Sequence, residues 1–395
     1  MTALAPGPKT SYAEELAQIS AKLSAAPELL ALLYTAAFQI RRLLGCSVVV
    51  FTKPGNDPVY VASSNIGVPR EDLLHVRYEH GGALATRLEA GETVRNGDLP
   101  PRAVAAVPLR RRSELIGFLS LGQSPYTDDF SGVEGDFLMA VSDQLALHIE
   151  NFRLRDQDWE LSRVRELQER LLPKVASGIH GYDIAHVWRP MRSVSGDYYD
   201  VIELGPHQLA VCIGDVIGKG MPAALLMSNV QAAVKAVASH DMPPSEVCAR
   251  VNRVLAGNLA AGNFVTFFYS ILDNRTAELA YTNAGHVPPM LVRKDGSVTR
   301  LESGGALLGV FKNWAFEQAS VKLEPGDRLV LFTDGISELK DSAEEEFGEE
   351  RLERLVVRHR TASAAQLKDR VLEAVADFSN GAFQDDMTVV VVAAD

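Results

Sequence analysis

The chain has 395 residues, 47% hydrophobic and 23% charged, which is ordinary globular composition and too long for one typical domain. A formal net charge of -12 argues against nucleic-acid binding, which needs a basic footprint. The longest apolar stretch, Leu29 to Phe38, is about half a membrane span, and the opening nine residues are Pro/Gly-rich rather than basic and then apolar. No membrane insertion and no secretory leader are expected. Cys46, Cys212 and Cys248 lie far apart, form no CxxC pair, and read as reduced packing residues of a cytoplasmic protein.

In chain order, residues 1–11 read as a disordered tail. A helical apolar pattern follows from Tyr12 to Leu44, broken in two at Pro27. Ser47–Phe51 and Val59–Ala62 form a hairpin across the turn 54–58. A helix containing Gly82–Ala85 comes next, then a strand near Val94, then strands Ala103–Leu109 and Leu115–Leu121. Arg110, Arg111 and Arg112 between those two strands read as a solvated turn. A long amphipathic helix starts at Phe130-Ser131 and runs on through residues 150–172 to Pro173, with Leu161, Val164, Leu167 and Leu171 on one stripe. That stripe either packs on its own domain or dimerises as a short coiled coil; a homodimer is the expectation.

From Gly181 the texture changes to short strands between turns: His180–Pro190, Asp197–Glu203, Gln208–Ile213, Val265–Leu272, Glu278–Asn283, Met290–Arg293, Glu317–Leu323, Asp327–Phe332 and Met387–Val392. Helices are expected at Pro222–Ser239, Pro244–Ala260, Glu349–His359 and Ala364–Phe378. This mixture predicts an α+β domain with two sheets face to face and helices outside.

Four acidic segments end these apolar runs: Ser195–Asp200, Gly214–Gly220, Thr333–Gly335 and Gln384–Thr388. Any one has an ordinary explanation, since Asp-Gly is a turn dipeptide and Asp385-Asp386 suits an exposed strand edge. Together they predict an oxygen-rich site that a hard divalent cation must neutralise. Gly214–Gly220 is not a P-loop: three residues, not four, separate Gly214 from Gly218-Lys219, and Gly220 replaces the required hydroxyl. It also fails the GxGxxG pattern. Lys219 reads either as a phosphate-attracting group or as a solvated turn lysine.

Ser195–Asp200, Asp215–Ala224, Thr282–Pro289, Phe332–Glu338 and Asp385–Thr388, with Phe347-Gly348 before Arg351-Leu352, strongly resemble the SpoIIE-like branch of the metal-dependent PPM (type 2C) protein phosphatases. Gly91–Val94, Val107–Leu109, Ile116–Leu119 and the helix from Phe130 to Asn151 resemble a GAF domain. The resemblances imply an N-terminal tail and helix over 1–27, a GAF-type sheet with flanking helices over 28–153, a helical linker over 154–176, and an αββα sandwich over 177–395. They also imply two Mn2+ or Mg2+ ions, with Asp215 bridging both and the Val216 carbonyl on one. Asp334 and Asp385 would complete the other, with Asp197 acting directly or through water. Asp386 and Asp200 are weaker candidates, one supporting the ligands and the other a strand residue facing solvent. A water held by the ions would be the nucleophile, positioned by Asp215 and Asp197.

Ile217 stands where many eukaryotic relatives carry a histidine proposed as general acid, so protonation of the leaving group falls to water or another residue; His286 is the nearest candidate, and its alternative reading is a packed turn residue. The expected substrate is phosphoserine or phosphothreonine on a regulatory protein, a STAS-type antagonist of an anti-sigma factor, with the GAF module regulating the enzyme through the linker. Two rivals are a signalling scaffold with a structural metal site and a diguanylate cyclase; the latter lacks the Gly-Gly-Asp/Glu-Glu-Phe pattern. In the GAF module, His75, His80 and Cys46 read as structural, and no cofactor is assigned.

Overall fold

A computed structural model describes residues 12–54, 57–112, 114–173, 179–259 and 262–395. The expected N-terminal tail (1–11), the centre of the first hairpin turn (55–56) and the end of the linker (174–176) lie outside the described residues. The chain forms two compact units, Met1–Asp158 and Trp159–Asp395.

The first unit contains α1 (Tyr12–Ser24), α2 (Leu29–Leu44), β1 (Val48–Thr52), β2 (Val59–Ile66), β3 (Arg77–Glu79), α3 (Ala83–Glu89), β4 (Ala105–Arg111) and β5 (Glu114–Leu121). Gly45 in the left-handed conformation ends α2, its N–H donating to the Arg41 carbonyl. The strands form one antiparallel sheet in the order β3-β2-β1-β5-β4. Strand alternation explains why β1 is apolar throughout: Val48 and Val50 pack with α1, α2 and the start of α4, while Val49 and Phe51 pack with α3. Residues near Thr93-Val94 form only an isolated bridge from Val94 to Ala106, and β3 is a short strand that the apolar pattern did not signal. Cys46 is buried in the helical layer, and burial pushes its thiol up to about 11, as suits a packing residue.

Helix α4 (Gly132–Leu171) is one 40-residue element, so the segment read as a linker continues the preceding helix without interruption. Along it Leu154, Trp159 and Leu167 are exposed, whereas Gln168, and Leu172 just past its end, are buried.

The second unit continues with β6 (Tyr182–Arg189), β7 (Tyr198–Gly205), β8 (Gln208–Val216), α5 (Met221–Val237), α6 (Pro244–Asn258), β9 (Val265–Asp273), β10 (Glu278–Ala284), β11 (Met290–Val292) and β12 (Val298–Arg300). It ends with β13 (Ala319–Lys322), β14 (Arg328–Phe332), α7 (Asp334–Ser337), α8 (Glu349–Arg358), α9 (Ala364–Phe378) and β15 (Met387–Ala394). Two five-stranded sheets result, ordered β13-β10-β9-β8-β7 and β12-β11-β14-β15-β6.

Period-two alternation again assigns the layers. Leu329, Leu331, Val390 and Val392 join the core shared with β7–β9, α5 and α6. Their neighbours Val330, Phe332, Val389 and Val391 join the core formed with α8 and α9. Each such fully buried aliphatic side chain contributes on the order of 1.5–3 kcal/mol. The layers are therefore helices, sheet, sheet, helices. Helix α9 starts with a complete capping box, Ser363 accepting from the Gln366 N–H and Gln366 accepting from the Ser363 N–H. Among the described residues, no helix is long and apolar enough to cross a membrane.

One expectation is corrected here. Asp200 does not face solvent: it is fully buried, accepts hydrogen bonds from Tyr198 Oη at 3.0 Å and its neighbour Val201 N–H at 2.9 Å, and pairs with Lys235 of α5 at 3.1 Å. The cover provided by α5 turns an outward strand position into an interior one.

Candidate metal centre

The acidic segments occupy the ends of strands from both sheets. Asp197 immediately precedes β7, Asp215 and Val216 end β8, Asp334 opens α7 directly after β14, and Asp385-Asp386 lead into β15. Asp215 thus lies on the strand itself rather than in the turn after it.

Asp197 is buried, and its Oδ2 accepts from two hydroxyls: Thr388 Oγ1 at 2.6 Å and Thr333 Oγ1 at 2.9 Å. The Thr388 N–H donates back to Thr333 Oγ1 at 3.0 Å, so the two threonines hold each other and the carboxylate. Asp215 receives support from Thr266, whose Oγ1 accepts the Asp215 N–H at 3.2 Å. Both groups are held well above the ordinary carboxylate range. Burial is the larger cause for Asp197, followed by the Asp215 charge, with the threonine hydroxyls opposing. Burial, then Asp334, Asp385 and Asp386, raise Asp215 to about 7, while a hydrogen bond with Asp197 opposes the rise. Asp334 is also raised, by burial and by Asp385, against the Gly335 N–H and Lys219.

Two glycines permit these approaches. A Cβ on Gly335 would lie 1.9 Å from the Asp386 carbonyl oxygen, and one on Gly196 would lie 3.0 Å from the Val216 carbonyl oxygen. Gly335→Ala should therefore destabilise the fold by roughly 1–3 kcal/mol, because the obstacle is backbone that can move only by pushing Asp334 from Asp385. Denaturant unfolding checks this; unchanged stability would mean the two segments are not closely packed.

The remaining acidic residues have other partners. Asp385 pairs with Lys219 at 2.6 Å. Asp386 Oδ1 accepts the Met191 N–H at 2.8 Å, and its Oδ2 accepts the Gly196 N–H at 3.0 Å. Among the described residues, no three His, Cys, Asp or Glu side chains stand as a ready single-ion cage. The donor set nevertheless fits hard divalent cations. It consists of oxygen ligands only, and its buried carboxylates raise one another's pKa for want of a counter-charge. A cleft of about 310 Å³ opens beside Asp334 and Asp385, lined also by Lys219, Glu338, Lys340 and Glu344.

His286 is buried, with Nδ1 at 2.8 Å from Thr266 Oγ1 and Nε2 at 3.1 Å from the Phe332 carbonyl oxygen. Burial pushes its pKa down to about 4. Ile217 is 39% exposed at the end of β8. Sequence reasoning quoted Thr333 and Thr388 only as frames for their aspartates and missed Thr266 altogether; the hydroxyl beside each acidic residue was the available signal for the first two.

A layered αββα sandwich with buried and half-buried aspartates at its sheet ends could hold the divalent cations that a metal-dependent phosphohydrolase needs. The profile of the family described as Stage II sporulation protein E (SpoIIE) matches residues 205–395, and that of the GAF domain matches residues 26–151. Phosphoserine phosphatase RsbU of Bacillus subtilis (strain 168) is 31% identical over 235 residues, which are 59% of this chain and 69% of that protein. Protein IcfG of Synechocystis sp. (strain ATCC 27184 / PCC 6803 / Kazusa) is 29% identical over 261 residues, 59% of this chain but only 41% of that protein. The SiaA-PP2C domain of Pseudomonas aeruginosa shares the fold, with a TM-score of 0.55 at 21% identity over 62% of this chain and 99% of that domain. The chain belongs to the SpoIIE family of PPM-type protein phosphatases and carries an N-terminal GAF domain.

Proposed function

We propose that the chain hydrolyses phosphoserine or phosphothreonine on a regulatory protein of STAS type, and that its GAF domain regulates this activity through α4. The observation that carries the reading is the convergence of Asp197, Asp215 and Asp334 from both sheets, where burial and neighbouring carboxylates hold Asp197 and Asp215 above the ordinary carboxylate range. RsbU, similar over much of its length, is named a phosphoserine phosphatase.

In this reading Asp197, Asp215, the Val216 carbonyl, Asp334 and Asp385 hold two Mn2+ or Mg2+ ions. When bound, the ions would supply an activated water and charge neutralisation at phosphorus. The protein's own part is orientation. Thr333 and Thr388 fix Asp197, Thr266 fixes the Asp215 backbone, and Asp386 braces the Gly196 loop through its two oxygens. Lys219, beside the cleft, is placed to attract a phosphorylated segment. Exposed Leu167, with half-buried Leu161, Val164 and Leu171 on the same stripe of α4, supports a homodimer formed along that helix.

Purified full-length protein with a phosphoserine-bearing STAS-domain protein should release phosphate with Mn2+ and none with EDTA. Bound Mn2+ without phosphate release, from the full chain and from residues 177–395 alike, would favour a scaffold instead.

A further inference from the structure

His286 is more firmly fixed than an ordinary turn residue. Its N–H donates to Asn283 Oδ1 at 2.8 Å, and Asn283 Nδ2 donates to the His286 carbonyl at 3.0 Å and to the Leu301 carbonyl at 3.1 Å. The preceding Gly285 has φ +73°, and a Cβ there would lie 2.6 Å from Leu307 Cδ2. The backbone that carries the ring is therefore held in place.

Its partners determine which nitrogen carries the hydrogen. A carbonyl oxygen only accepts, so the contact of 3.1 Å to the Phe332 carbonyl requires a hydrogen on Nε2. In the neutral ring Nδ1 is then an acceptor, and the Thr266 hydroxyl at 2.8 Å must donate to it. The alternative acceptor for that hydroxyl, the Asp215 carbonyl, is 3.5 Å away. With its hydrogen committed to the ring, Thr266 Oγ1 offers lone pairs to the Asp215 N–H at 3.2 Å. Every bond in this chain has a determined direction: Asp215 N–H to Thr266, Thr266 O–H to His286, His286 Nε2–H to Phe332.

The two ends of the chain lie in different sheets. Asp215 ends β8 of one sheet, and Phe332 ends β14 of the other, immediately before Thr333 and Asp334. We propose that His286, as its neutral Nε2–H tautomer, is a positioning residue that fixes the spacing of the strand ends carrying Asp215 and Asp334, and so sets the affinity of the centre for its cation. It does not donate a proton to the leaving group, because both nitrogens are occupied and the ring is buried. The low pKa agrees with a ring that stays neutral. The inference rests on the metal-centre reading above.

Calorimetric titration of the full chain with Mn2+ tests it. His286→Phe and Thr266→Val should each weaken binding by roughly 10- to 100-fold, the usual effect of removing a group that orients a metal ligand. The double variant should lose no more than the worse single, since the two residues form one relay. Thr266→Ser, which keeps the hydroxyl, should bind close to wild type. Thermal melting establishes that each variant is folded, and Thr266→Val carries the test should His286→Phe fail to fold. A nitrogen-detected histidine spectrum at neutral pH should show one Nε2–H tautomer that vanishes on substitution. Turnover should fall by the same factor for p-nitrophenyl phosphate, whose leaving group needs no proton, as for a phosphoserine protein.

A folded His286→Phe protein with wild-type Mn2+ affinity, additive losses in the double variant, an Nδ1–H tautomer, or a loss confined to the phosphoserine substrate would each overturn the proposal. A wild-type chain that binds no Mn2+ overturns the metal-centre reading first and this inference with it.

Discussion

Asp215→Asn should abolish phosphate release while raising the melting temperature of the metal-free protein. The activity loss, expected to be roughly 10³-fold or more, should exceed the 10- to 100-fold typical of an outer partner because the group bridges both ions in the proposed centre. The stability gain has a separate cause. Asp215 is half-buried beside Asp334, Asp385 and Asp386, and each raises the cost of its charge. Asparagine keeps the shape and removes the charge, so the repulsion disappears. Activity assays and melting curves in EDTA check the two halves together. A variant that is inactive and also less stable without metal would show that Asp215 serves the fold through a bond the neutral amide cannot make.

The second large effect is an inverted pH dependence. Asp215 has a folded pKa of about 7 against a reference of 3.8, so between those values the folded state binds more protons than the unfolded chain. Its contribution to stability is present below the lower value and is lost as pH rises through the upper one, by an amount on the order of a few kcal/mol. Metal-free protein should therefore weaken between about pH 4 and 7, a range in which proteins whose carboxylates are well paired usually become more stable. With saturating Mn2+ the trend should reverse, because the ion binds only ionised carboxylates and its affinity climbs with pH. Denaturant unfolding across this range, with EDTA and with Mn2+, is the measurement. Asp215→Asn is the reference that removes contributions from other groups, and parallel wild-type and variant curves in EDTA would refute the assignment.

The acidic residues were legible because the chemistry of strand ends and turns is local: Asp-Gly and Gly-Asp pairs after apolar runs mark where a sheet stops. What those residues touch was not legible, because the partners are remote. Thr388 meets Asp197 across 191 positions, and Asp386 reaches Gly196 across 190. Asp200 shows how tertiary cover changes a strand position, since alternation gives its face but not whether helices lie upon it. The short strands β3 and β12, three residues each, carry too little pattern to register. The Asp334–Ser337 turn of helix was likewise hidden, because Asp-Gly reads as a turn and the helix has four residues. The linker stripe was visible, yet its continuity with the preceding helix followed only from the absence of any Pro or Gly between Asp136 and Leu171.

Strand β15 lies between β14 and β6, so the last strand of the described chain pairs with the first strand of its unit along eight residues, from Met387 opposite Arg189 to Ala394 opposite Tyr182. Until that strand has been synthesised, β6 lacks its neighbour and Asp197 lacks Thr388. A nascent chain on the ribosome can thus fold its GAF domain while its second unit still lacks a complete acidic site. Synthesis itself delays the acidic site, which stays incomplete until β15 has joined its sheet.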